Sequence, residues 1–268
     1  MKPRQACLAC LEREPVALLE AALWIAAEHD RLVEPAACLG ALHNLQGQIS
    51  ASLPMLPLSE LAQPLLRQLN ALGFQQDAYH PLRPQAALLD KVLQRRRGQP
   101  LALAIITLEL ASRLSIPLEG VAFPGHFLLR VPGADHLLDP CGGRRLYPND
   151  CRELLARQFG PHLPLTAEHL RSASAMQMLQ RLSRNLRQLH ISNDNHLAAL
   201  IDAERVMQLG PVQVSDYMTR ATLYQHLDCP QAERFDLEHA LLLTDDPVQR
   251  LKLSERIGKL PTVNRSIH

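Results

Sequence analysis

The chain has 268 residues, a formal net charge of +1, 47% hydrophobic residues and six cysteines. At roughly 150 residues per domain, that length makes one or two domains with a core that needs no disulfide staples. The near-neutral charge excludes a general nucleic-acid footprint, the 4% aromatic content excludes a base-stacking surface, and the hydrophobic share excludes wholesale disorder.

The opening segment MKPRQACLACLEREP lacks the apolar core of a secretory signal, and no run of about 18 apolar residues exists. A cytoplasmic protein with reduced cysteines and no membrane association is therefore expected. Cys7 and Cys10 form a CxxC without a second cysteine pair, with His29 and His43 as arbitrary further ligands, so the spacing reads as incidental on a frayed terminus. The first helix is predicted over 14–27, with Pro15 at its first position and Leu18, Ala22 and Ile25 as its buried stripe. A second, over 34–49, buries Cys38, Leu42, Leu45 and Ile49 and is weakened by Gly40. A third follows Leu58-Ser59-Glu60, runs to about Leu72 and stops at Gly73.

Residues 74–87 read as a loop, because Pro81 and Pro84 hold the residues before them extended. A helix over 85–96 follows, ending in the run Arg95-Arg96-Arg97 and broken by Gly98-Gln99-Pro100. The helix from Pro100 is apolar on most faces and should be the most buried of the protein. Strands are predicted over 118–123, 127–131 and 136–139, an antiparallel meander that Cys141-Gly142-Gly143 ends. From Asn149 the chain is helical again, over 150–158, 166–190, 195–209, 213–227, 230–244 and 247–258. The last four segments look like stacked helical hairpins, although an ordinary bundle would give a similar pattern. A soft boundary falls at 170–190, inside helical sequence.

His126 begins one strand and Asp139 ends its antiparallel neighbour, so the two can lie side by side, the geometry by which a carboxylate orients an imidazole. The helix start near Pro100 is where a dipole would lower the pKa of a cysteine. Arg95-Arg96-Arg97 reads first as a solvated helix end. Its functional alternative is an anion site in which Arg96 and Arg97 join Arg144 and Arg145 beside the cleft. The other histidines show no HxxxH or HExxH spacing, so neither metal nor cofactor is expected.

The order of helix start, strand histidine and strand aspartate resembles the papain-like transglutaminase core. More closely, the chain is similar to the bacterial SirB-type transglutaminase-like proteins with a tetratricopeptide-like C-terminal part. The likeness is carried by Arg95 through Pro100, Ile116-Pro117-Leu118-Glu119-Gly120-Val121, Pro124-Gly125-His126-Phe127-Leu128, Leu138-Asp139-Pro140 and Gly142-Gly143. It implies an α+β fold: a mostly helical transglutaminase-like core with a small antiparallel sheet over 1–180 and a helical-repeat-like array over 181–268. Where the family has an Asn-Ser pair this chain has Ala86-Ala87, and Ala102 and Ala104 stand where it has serines.

The resemblance also places the family's nucleophilic cysteine near Pro100, yet no cysteine occurs between Cys38 and Cys141. The expectation is a catalytically degenerate protein that retains His126 and Asp139 and acts as an interaction or scaffold factor for a protein or peptide. The first alternative is a cysteine-dependent hydrolase or acyl transferase with Cys141 as a relocated nucleophile. The second is an anion- or small-ligand-binding module using Arg96, Arg97 and Arg144. Oligomeric state is left open.

Overall fold

In the computed structural model, which describes residues 2–80 and 82–261, helix α6 (Pro100–Arg113) is buried over most of its length. Leu101, Leu103, Ile105, Ile106 and Leu110 are almost wholly inaccessible, each contributing roughly 1.5–3 kcal/mol of burial. The one buried hydroxyl on this helix, Thr107, donates back to the Leu103 carbonyl at 2.8 Å and so costs little. Around α6 pack α2 (Leu18–His29), α4 (Ala62–Ala71) and α5 (Leu89–Arg95), while α3 (Pro35–Ser52) packs on α2, α4 and α5.

The N-terminus differs from the expected frayed tail. Residues Pro3–Leu11 form α1, which packs on α2. Ala6, Cys7 and Cys10 recur at helical spacing and are buried there, so both cysteines are packing residues. Burial, followed by the charge of Glu20, pushes the Cys10 thiol up to about 11. Pro15 does not open a helix; α2 starts three residues later, at Leu18.

The third helix does follow Leu58-Ser59-Glu60, which form a 3₁₀ turn ahead of α4. Two further expectations are corrected before Pro100. The loop over 74–87 contains β1 (Gln75–Gln76), paired in parallel with β2 (Arg97–Gly98), and a 3₁₀ turn, Pro84–Ala86. Helix α5 starts at Leu89 rather than 85 because Pro84–Ala86 forms the 3₁₀ turn and Leu88 is extended; at its other end Arg96, in a left-handed conformation (φ 56°), closes the helix and turns Arg97 into β2.

The antiparallel meander has four strands, in the order β3 (Glu119–Val121), β4 (Leu128–Arg130), β5 (Leu137–Leu138) and β6 (Arg145–Leu146). Gly142 and Gly143 thus turn the chain into β6 rather than ending the sheet. Val121, Phe123, Leu128, Leu137 and Leu146 pack with Cys151 and Leu155 of α7 (Pro148–Phe159). The predicted helix over 166–190 divides into a 3₁₀ turn, Ala167–Leu170, and α8 (Ala175–Ser192). In the gap Ser172 pairs with Val121 on the edge of β3.

The chain forms two compact units, Met1–Leu182 and Ser183–His268, with the boundary inside α8. The second contains α9 (His196–Gln208), α10 (Val214–His226), α11 (Pro230–Leu243) and α12 (Pro247–Lys259), each packed on the next. Ala199, Ala203, Ala221 and Ala240 are buried and let these helices approach closely. Buried acids tie the helices together: Asp216 to Arg184 and Arg187, Asp236 to Arg220, and Glu233 to Arg256. Among the described residues, no helix is long and apolar enough to cross a membrane.

Candidate functional site

The local sequence around Gly98 sets the start of α6. A side chain at Gly98 would meet Val92 at 2.8 Å and the Ala86 carbonyl at 3.1 Å, so β2 can pass only as glycine. Gln99 is the extended N-cap residue, and Pro100 takes the first helical position, where its missing N–H costs nothing.

The second wall comes from the turn before β4. Gly125 sits at φ 73°, a conformation that disfavours other residues, and the His126 N–H donates to the Phe123 carbonyl at 3.0 Å. His126 is thereby held half-buried at the mouth of β4. The third wall is the β5–β6 turn. Asp139 organises it: its Oδ1 accepts the Cys141 N–H at 2.7 Å, its carbonyl accepts the Gly143 N–H at 2.8 Å, and its N–H donates to the Arg144 carbonyl at 2.9 Å. The turn docks on α4, where Gln63 Nε2 donates to the Gly143 carbonyl at 2.8 Å.

Because Leu129 pairs with Leu138, these two turns emerge at the same end of the sheet. Pro100, His126, Asp139, Cys141 and Arg144 all line one cleft of about 310 Å³. The floor is apolar, with Phe127, Leu128, Leu146 and Leu154. His126 and Asp139 therefore share a cleft, but among the described residues no hydrogen bond joins the imidazole to that carboxylate, which is engaged with its own turn.

Cys141 is half-buried, and burial followed by the charge of Asp139 pushes its thiol up to about 12. A thiol so placed stays protonated at neutral pH, the opposite of what a nucleophile requires. The three arginines do not converge. Arg96 Nη1 donates to the Leu72 carbonyl at 2.7 Å, and its guanidinium lies 5.7 Å from the centre of the Phe74 ring. Arg97 donates to Gln75 Oε1 at 2.6 Å. Neither lines the cleft; Arg144 does, on its rim, paired with Asp150 at 3.0 Å.

Gln76 of β1 and Asp150, Glu153 and Arg157 of α7 also line the cleft and were not anticipated from the sequence. The signal for the α7 residues was available. Tyr147-Pro148-Asn149-Asp150 is a capping sequence in which Asp150 Oδ2 accepts the Tyr147 N–H at 2.9 Å, and residues 150, 153 and 157 recur at the spacing of one helix face. The acids and arginines of this rim are internally paired, Arg144 with Asp150 and Arg157 with Glu153. These four residues therefore carry no net charge.

Residues 36–184 match the transglutaminase-like superfamily, and residues 186–258 match the tetratricopeptide repeat. The chain is 59% identical to UPF0162 protein PA3419 of Pseudomonas aeruginosa over the full length of both chains. It is 32% identical to a UPF0162 protein of Xylella fastidiosa over 88% of this chain and 87% of that one. It is 28% identical to Protein SirB1 of Salmonella typhimurium over 62% of this chain and 63% of that one. No solved structure matches the chain.

Proposed function

The chain belongs to the transglutaminase-like superfamily, among the UPF0162 and SirB1 proteins, and we propose that it is a catalytically degenerate member that works as a protein-interaction factor in the cytoplasm. The observation that carries this reading is Pro100 on the cleft wall, at the helix start where acyl-transfer chemistry needs a thiolate. The thiol that lines the cleft, Cys141, is held protonated, which argues against a relocated nucleophile. His126 and Asp139 then serve the architecture of the cleft: one closes the β4 turn and the other the β5–β6 turn.

The interaction role rests on the second unit. Tetratricopeptide arrays bind peptides and proteins along stacked helices, and their terminal helices ordinarily present a polar outer face. Here Leu242, Val248 and Leu251 are all more than half exposed at the end of α11 and the start of α12, the kind of apolar surface that marks a protein contact.

The test has two arms. Purified full-length chain is given a glutamine-containing peptide, with and without a primary amine, and ammonia release is followed. No release above the Cys141→Ser variant is expected; release abolished by iodoacetamide would overturn the degenerate reading. In the second arm, partners cross-linked to the full-length chain are compared with those of a Leu242→Ser, Leu251→Ser double variant. Loss of specific cross-links in the variant is expected, and an unchanged set would remove the interaction role of this surface.

A further inference from the structure

The first unit carries another groove, of about 320 Å³, between the end of α6, the beginning of β3 and the beginning of α8. Its walls are apolar, from Leu18, Leu108, Leu118 and Met178. They are also built in. Gly120 lets Phe127 and Met178 close on it, since a side chain there would meet them at 2.7 and 3.1 Å. The far wall is tied to β3 by backbone pairing, with Ala173 N–H donating to the Gly120 carbonyl at 2.8 Å.

The charged lining residues of the groove are acids. Glu109 and Glu119 line it, and no basic residue does. Each carboxylate is fixed by a neighbour outside the lining. Glu109 Oε1 accepts from Arg113 Nε at 2.7 Å. Glu119 Oε2 accepts from Arg130 Nη2 at 2.7 Å and from the Ser172 hydroxyl. Ser172 and Arg130 together hold Glu119 below the usual carboxylate range, so it is ionised at neutral pH. Among the described residues no hydrogen bond reaches Oε2 of Glu109 or Oε1 of Glu119. Two acceptor oxygens therefore remain open in a groove whose other polar side chains are those of Ser112 and Ser172.

We propose that this groove docks a partner protein through one arginine or lysine side chain flanked by apolar residues. The cation meets the two open carboxylate oxygens, a charge-assisted contact stronger than a neutral one, while the flanking side chains cover Leu18, Leu108 and Leu118. An anionic or purely apolar segment would bury the two open oxygens without a donor. The inference goes beyond the function proposed above and holds whether or not the His126 cleft is catalytic.

The experiment uses the isotopically labelled full-length chain and a capped tripeptide, Ac-Leu-Arg-Leu-NH2, followed by amide NMR shifts. Saturable shifts at Leu118, Gly120, Ala173 and Ala175 are expected, weakening as salt screens the contact. Glu109→Gln should weaken binding by about fivefold. Val16→Lys, which brings a cation to the exposed rim without touching any side-chain bond described here, should weaken it at least as much. The neutral Ac-Leu-Gln-Leu-NH2 should not saturate. Equal binding of the neutral peptide, shifts elsewhere, or indifference to both substitutions would overturn the proposal. So would equal binding of agmatine alone, since the apolar walls would then contribute nothing.

Discussion

The Asp139 carboxylate accepts the backbone N–H of Cys141, two residues ahead in the same turn, at 2.7 Å. This contact makes Asp139 a structural element of the β5–β6 connection, and the same turn is held on α4 through Gln63 and Gly143. Asp139→Ala should therefore destabilise the protein by about 1–3 kcal/mol, the usual effect of deleting a charged acceptor. Asp139→Asn keeps an acceptor oxygen and should lose less than half as much. Chemical denaturation of both variants checks this ordering. Equal losses would show that the negative charge, not the turn hydrogen bond, is what the site needs.

Cys141 offers a direct reading of the same turn. Its thiol is pushed up to about 12, by burial first and by Asp139 second, whereas Cys229 is exposed. Alkylation near pH 8 should consume Cys229 long before Cys141, and the Cys141 rate should climb only in strongly alkaline solution. The sign for stability follows. The native state keeps a proton that an unfolded thiol, with its pKa near 8.5, has lost. Native stability from this group is thus complete below about pH 8 and declines as pH rises toward 12. Mass spectrometry of timed alkylation mixtures measures the order of reaction; Cys141 reacting first would contradict its placement.

Much of this arrangement is legible in the sequence, and the parts that are not share a cause. The helices over Pro35–Ser52, Pro100–Arg113 and from His196 onward carry apolar stripes long enough to show a helical period. Strand β6 is two residues, Arg145–Leu146, too short for any alternation to register. The start of α5 is hidden because the apolar run from Ala86 to Leu89 spans the end of a 3₁₀ turn, an extended residue and the first helical position. Pro124-Gly125-His126 and Asp139 could be placed at one end of the sheet from strand order alone. Whether their side chains meet depends on the Asp139 oxygen being engaged by Cys141, a contact two residues away that spacing does not reveal. The groove at Glu109 and Glu119 joins residues of α6, β3 and α8, and only the folded packing brings them together.

If Pro100 is what silences the cleft, restoring a thiol there should restore part of the chemistry. Pro100→Cys places sulfur at the first position of a 14-residue helix, where the dipole favours an anion, in the same cleft as His126. In a Cys229→Ser background the new thiol should alkylate faster than an unperturbed thiol, with an apparent pKa below about 8.5. His126→Ala should slow it. The pH profile of iodoacetamide labelling supplies both values. A rate matching free cysteine, unchanged by His126→Ala, would mean that the cleft no longer holds its old geometry.

The second unit depends on a buried acid. Asp216 is 1% exposed and is held by Arg184 at 2.7 Å and Arg187 at 3.1 Å. Burial alone would raise its pKa, but the Arg184 hydrogen bond, the Gln213 N–H and the charges of Arg184 and Arg187 more than offset this and hold it below the usual carboxylate range. With the folded pKa depressed, its contribution is fully present above the unfolded value of about 3.9 and is lost as pH falls through the folded one. Acid unfolding of the helical array should therefore begin below about pH 4, and Asp216→Asn should remove that portion of the pH dependence. The same substitution leaves two arginines without their buried partner, one of them 10% exposed, and should cost about 3 kcal/mol at neutral pH. Denaturant titrations at several pH values, read by helical circular dichroism, test both statements. A variant as stable as the parent at pH 7 would show that solvent, not Asp216, satisfies Arg184 and Arg187.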